Sequence, residues 1–116
     1  MKCLNDNKSE FKILNKTLLF IDSIDNLISN IPRKDYYYKD KLINDSYLLL
    51  EYIIRANNSI NDDIRNNCLT EILTKLTVID KLLERFYNKK YISEKQLVNS
   101  IRLLTEVNRM VKSWLG

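Results

Sequence analysis

Residues 69–115 of this chain read LTEILTKLTVIDKLLERFYNKKYISEKQLVNSIRLLTEVNRMVKSWL. Leu69, Ile72, Leu76, Ile79, Leu83 and Phe86 recur at steps of three and four, and so do Leu97, Ile101, Leu104, Val107, Val111 and Trp114. Each series keeps the helical period, which predicts two long helices that each bury one face. Asn88-Lys89-Lys90-Tyr91-Ile92-Ser93 separates them as a short polar turn. Ser93-Glu94-Lys95-Gln96 then reads as a capping box, in which the serine hydroxyl and the glutamine side chain each satisfy a backbone N–H of the helix start. Long helices joined by so short a turn are expected to lie antiparallel.

Working back from this hairpin, the same period recurs twice. Phe11, Leu14, Leu18, Ile21, Ile24, Ile28 and Ile31, widened by Leu19 and Leu27, predict a first helix over residues 9–30. It stops at Ile31-Pro32, because the residue before a proline avoids the helical region and proline donates no backbone hydrogen bond. Asp35 is the expected N-cap of a second helix over residues 36–57, burying Leu42, Ile43, Ser46, Leu49, Leu50, Ile53 and Ile54. Asn57-Asn58-Ser59 ends it, and Asn61-Asp62-Asp63 opens a third over residues 62–87, where acids favour the positive end of the helix dipole. The fourth covers residues 93–115. The expected fold is all-α, one antiparallel up-down-up-down four-helix bundle spanning residues 1–116.

Composition narrows the function. With one glycine and one proline in 116 residues, the chain lacks the turn residues of a β-rich fold and cannot build a glycine-rich phosphate loop. It has no histidine, the side chain best suited to proton transfer near neutral pH and half of the Glu-x-x-His pair of di-iron bundles. Neither Cys3 nor Cys68 has a neighbour at metal-ligand spacing, so no metal or other cofactor is expected and an enzyme is not. Cys68 is expected to be a small buried hydrophobe. No apolar run approaches the roughly 20 residues of a membrane span, and Met1-Lys2-Cys3-Leu4-Asn5-Asp6 does not open a signal peptide. A cytoplasmic location follows as the expectation, with no membrane or small-molecule partner.

Charge is unevenly placed. From Lys75 onward nine Lys or Arg face four acids, a net +5, whereas residues 1–74 hold ten against eleven, a net −1. A basic C-terminal half suits an anionic partner, nucleic acid first, and equally suits a solvated lysine-rich surface. Lys81 and Arg85 are one helical step apart, Lys89 and Lys90 occupy the turn, and Arg102, Arg109 and Lys112 recur along the fourth helix. Shared faces would make these a strip that neutralises phosphates. Tyr36-Tyr37-Tyr38, flanked by Arg33, Lys34, Lys39 and Lys41, is a second candidate, either as stacking platforms for unpaired bases or as packing residues with hydroxyls in water. The candidate nucleic-acid-binding residues are Arg33, Lys34, Lys75, Lys81, Arg85, Lys89, Lys90, Arg102, Arg109 and Lys112.

Two stretches carry a family resemblance. Ile31-Pro32-Arg33-Lys34 followed by Leu48-Leu49-Leu50-Glu51-Tyr52-Ile53-Ile54-Arg55-Ala56, and Ile92-Ser93-Glu94-Lys95-Gln96 followed by Leu103 through Leu115, resemble the accessory variability determinant (Avd) proteins of diversity-generating retroelements. The sharpest element is Glu106-Val107-Asn108-Arg109-Met110 with Trp114. Asn108 and Val111-Lys112 depart from the family's glycines, so packing at that seam is expected to differ. The resemblance implies a homopentamer of four-helix bundles with a basic surface. It also implies binding to a reverse transcriptase and to template RNA or its complementary DNA. The family is similar in turn to the bundle proteins of ribosomal RNA intervening sequences, and membership of that branch would imply a structural or interaction role without a polymerase. Arg109 reads two ways: as a contact to a subunit or nucleic acid, or as a stem packed beside Trp114 and paired with Glu106.

Overall fold

The computed structural model describes residues 8–115, with side chains from residue 12 onward. Four helices, α1 (Lys8–Ile28), α2 (Tyr36–Asn58), α3 (Asp62–Asn88) and α4 (Glu94–Trp114), follow one another, with one 3-10 turn at Arg33–Asp35. Among the described residues there is no strand. The helices form a bundle of 43 × 23 × 21 Å, and the 27 residues of α3 account for the long dimension at roughly 1.5 Å each. α1 packs on α2 and α4, and α3 packs on the same two helices.

Local chemistry sets the ends. α1 finishes two residues earlier than the apolar pattern suggests. Asn30 and Ile31 donate to the Leu27 and Ile28 carbonyls in a tightened last turn, and Ile31 is buried as the chain reaches Pro32. Asn61 caps α3, its side-chain oxygen accepting from the Asp63 and Ile64 amides at 2.7 and 3.2 Å. The capping box of α4 is present in full: Ser93 Oγ accepts from the Gln96 amide at 3.1 Å, and Gln96 Oε1 accepts from the Ser93 amide at 2.9 Å.

The end of α3 is closed by a Schellman motif. The Lys90 amide donates to the Tyr87 carbonyl and the Tyr91 amide to the Phe86 carbonyl, both at 2.9 Å. The motif needs a left-handed residue, and Lys90 occupies it at φ 64°, where glycine is the usual choice. The accompanying apolar contact is Phe86 on Tyr91, ring centres 6.3 Å apart. A Cβ in that conformation costs energy that glycine avoids. Lys90→Gly is therefore expected to stabilise the fold by about 0.5–1 kcal/mol, after allowance for its freer unfolded chain. Urea unfolding checks this, and a destabilised variant would refute it.

One core cluster runs through all four helices, with Phe20, Leu27, Leu49, Ile72, Leu76, Leu83, Phe86 and Val107 among its buried members. All six residues of the α3 stripe are buried, whereas Leu97, Ile101 and Trp114 of the α4 stripe are half-buried at its edge. Two expectations need correction. α1 turns Ile13, Thr17, Phe20, Ile24 and Leu27 inward and leaves Leu18 and Leu19 exposed. Residues 18–21 are apolar nearly all round, so the period alone allowed either phase; Thr17 fits inside by donating to the Ile13 carbonyl at 2.8 Å. On α2, Ile54 faces outward while Asp45, Ala56 and Asn57 are buried. Phe11 and Cys3 lie outside the described side chains; Cys68 is a buried free thiol, as expected. Among the described residues no helix is long and apolar enough to cross a membrane.

Candidate nucleic-acid interface

Two of the three connections, residues 29–35 and 89–93, meet at one end of the bundle. Their link is the Asp35 carboxylate. Lys89 Nζ donates to its two oxygens at 3.2 and 3.4 Å, and the Tyr91 hydroxyl hydrogen-bonds to it as well. Asp35 was expected to cap α2. It stands at that position, but its side chain makes no cap hydrogen bond, and the Asp35 and Tyr36 amides donate to Pro32 and Arg33 in the preceding 3-10 turn. Its carboxylate is free to hold the other connection instead.

The Tyr91 hydrogen bond, then Lys89 and Arg85, hold the Asp35 carboxyl below the usual carboxylate range, and Asp35 correspondingly raises the Tyr91 phenol. Glu106 is also lowered, by the hydrogen bond from Lys16 at 2.7 Å and then by Arg102. A carboxylate whose folded pKa is depressed contributes stability that is fully present above its unfolded pKa and disappears as pH falls through the folded value. The thermal midpoint is therefore expected to fall as pH drops below the ordinary carboxylate range of about 4. The Asp35→Asn/Glu106→Gln double variant should lose less between pH 5 and pH 3 than the parent chain. Parallel melting curves across that range would contradict it.

The ten candidate cations do not form one strip. Arg33, Lys34, Arg85, Lys89 and Lys90 gather around the joined connections, and Lys81 lies one helical turn below Arg85 on α3. Arg33, Lys34 and Lys90 are exposed there and hold no ion pair among the described residues. Arg85 lies 4.0 Å over the Tyr38 ring, and Lys81 pairs with Glu84 at 3.3 Å. With Asn88 and Lys89 these residues line a shallow groove.

The other candidates are elsewhere. Arg109 and Lys112 lie 15 or more residues along α4, roughly 22 Å from its start, in a second groove with Asp80 and Asn108. Glu106 pairs with Lys16 and Arg102, so among the described residues the Arg109–Glu106 pair, one of the two readings of Arg109, does not form. Arg102 is taken by Glu106 at 3.3 Å and Asn99 at 3.0 Å. Lys75 points inward: its side chain is 17% exposed, 3.8 Å from buried Asp45 and 5.8 Å over the Tyr52 ring. Asp45 is what sequence reading missed. It accepts from Lys41 at 3.2 Å, and its second oxygen has no partner among the described residues. A lysine four residues before it was the available signal.

Among the described residues no cluster of His, Cys, Asp or Glu could hold a metal ion. What the arrangement offers is positive charge in water, with its nearest acid already neutralised.

No family model matches this chain, and no curated protein matches it significantly. Solved structures do. The crystal structure of a protein of unknown function from the S23 ribosomal protein family of Bacteroides thetaiotaomicron superposes with a TM-score of 0.83. The alignment covers 92% of this chain and 97% of that one at 18% identity, which shows a common fold.

Proposed function

We propose that this chain is a non-enzymatic nucleic-acid-binding bundle that serves as an accessory to a reverse transcriptase, binding its template RNA and complementary DNA. The observation that carries the binding part is the gathering of Arg33, Lys34, Arg85, Lys89 and Lys90 around a buried, already paired carboxylate. Arg33, Lys34 and Lys90, which pair with no acid among the described residues, can neutralise phosphates and release their counterions while Lys89 holds Asp35. The absence of histidine from the sequence supports a non-catalytic role. The polymerase partner and the homopentamer rest on the Avd resemblance.

An antiparallel up-down-up-down order is supported by cross-bundle pairs. Lys16 meets Glu106 and Ser23 meets Ser100, so positions rise along α1 as they fall along α4.

The second reading is a bundle of the ribosomal intervening-sequence type, structural and without a polymerase. The fold shared with the S23-family protein is compatible with both readings. A reverse transcriptase gene with a template repeat beside this one supports the first reading, and a location inside a ribosomal RNA gene supports the second.

The direct test is fluorescence anisotropy with labelled template RNA. Three phosphate contacts, from Arg33, Lys34 and Lys90, give a salt slope near −2 on a single strand, so affinity should fall roughly twentyfold from 50 to 200 mM salt. Binding that is absent, or indifferent to salt, defeats the electrostatic reading. Light scattering on the same sample tests assembly, and a monomer contradicts the pentamer.

A further inference from the structure

We infer that the basic end of the bundle is built for unpaired nucleic acid, with Tyr36 and Tyr37 as the platforms on which bases stack. The inference rests on the nucleic-acid reading above and narrows its ligand from polyanions in general to single strands.

Three observations support it. First, Tyr36 and Tyr37 are 64% and 74% exposed, far more than tyrosines that pack as amphipathic core residues. Their neighbour Tyr38 behaves as a packing residue: it is half-buried against the core, with Arg85 over its ring. The three consecutive tyrosines are thus divided by the helix into one structural ring and two free ones.

Second, one of the two exposed rings is held in place. Tyr37 meets Tyr38 edge to face, with ring centres 5.4 Å apart and planes at 87°, and Tyr38 is itself fixed by Arg85 at 4.0 Å. Part of the entropy cost of presenting the Tyr37 face to a ligand is already met in the free protein.

Third, the rings adjoin the charges that a strand's backbone requires. Tyr36 and Tyr37 directly follow Arg33, Lys34 and Asp35, and the Lys89–Asp35 pair brings the Lys89-Lys90 turn against the same segment. Stacking faces beside a track of cations are the elements of sequence-tolerant single-strand binding. A duplex keeps its base faces stacked internally and can use the cations alone.

The test compares the parent chain, Tyr36→Ala/Tyr37→Ala and Tyr36→Phe/Tyr37→Phe, each checked by circular dichroism and thermal melting, against labelled U20 and a labelled 20-base-pair RNA duplex. A base stacked on an aromatic ring is worth roughly 1–3 kcal/mol, so the alanine variant should bind U20 at least tenfold more weakly. Its salt slope should be unchanged, because no charge is removed, and its duplex affinity should match the parent. The phenylalanine variant should stay within about twofold of the parent, since stacking needs the ring and not the hydroxyl. Photo-crosslinking of 5-iodouridine-substituted U20 should label Tyr36 or Tyr37. If the parent binds both probes in a salt-dependent way while the alanine variant binds U20 equally well, the stacking inference falls and the electrostatic reading stands. Equal losses for U20 and duplex, or a phenylalanine variant as weak as alanine, also overturn stacking. If the parent binds neither probe, both readings fall.

Discussion

Phe86→Ala is expected to cost about 3–5 kcal/mol, the largest effect of any single substitution considered for this protein. Phe86 is fully buried near the end of α3, among core residues drawn from all four helices. Its removal forfeits the transfer energy of a large ring and leaves a cavity that surrounding helices close only in part. A domain of this size holds about 5–15 kcal/mol in total, so the variant should unfold at a much lower urea concentration. The effect also has a direction in space. Phe86 packs on Tyr91 beneath the turn that carries Lys89 and Lys90, and its carbonyl accepts the Tyr91 amide. Loss of the ring should loosen the basic end first. Amide hydrogen exchange should show the Lys90 and Tyr91 amides losing protection more than those in the middle of α3. A stability loss under 1 kcal/mol would mean that the ring is dispensable to the core.

Neutralising the exposed cations should have the opposite profile. Arg33→Gln/Lys34→Gln/Lys90→Gln removes three exposed charges that hold no ion pair among the described residues, so the fold should be little changed. For single-stranded RNA, three lost phosphate contacts should reduce the magnitude of the log–log salt slope by about 2 and weaken binding at least tenfold at low salt. Lys75→Met is the informative control. Lys75 lies against the buried Asp45 carboxylate, and removing it leaves that charge with Lys41 alone, so stability should fall while the RNA slope holds. If the triple variant keeps the parent slope, those cations do not meet phosphate. If Lys75→Met changes the slope as much as the triple variant does, the division between inner and outer cations is wrong.

The contrast between Lys75 and Lys90 shows where sequence reading reaches its limit. Both count equally in the +5 of the C-terminal half. Charge arithmetic carries no information on which way a side chain points, and the partner that turns Lys75 inward, Asp45, lies 30 positions earlier on another helix. The supposed strip along α4 failed for a related reason. Arg102 is held by Glu106, which Lys16 of α1 approaches from across the bundle, while Arg109 is left far from the turn. Asp35 misled by being locally sufficient as a cap: it occupies the cap position, but its carboxylate takes Lys89 and Tyr91 of the other connection.

The helices, their approximate limits and most of the core stripe on α3 were legible in the residues themselves. So was the Ser93–Gln96 capping box, because periodicity and capping act over three or four positions and need no distant partner. The phase of α1 was settled only when α2 and α4 packed on either side of it, since a segment apolar nearly all round has no preferred face until neighbours supply one. The basic end likewise exists only in three dimensions. A hydrogen-bonded contact spanning 54 positions, from Lys89 to Asp35, joins two turns that neither local propensity nor composition relates.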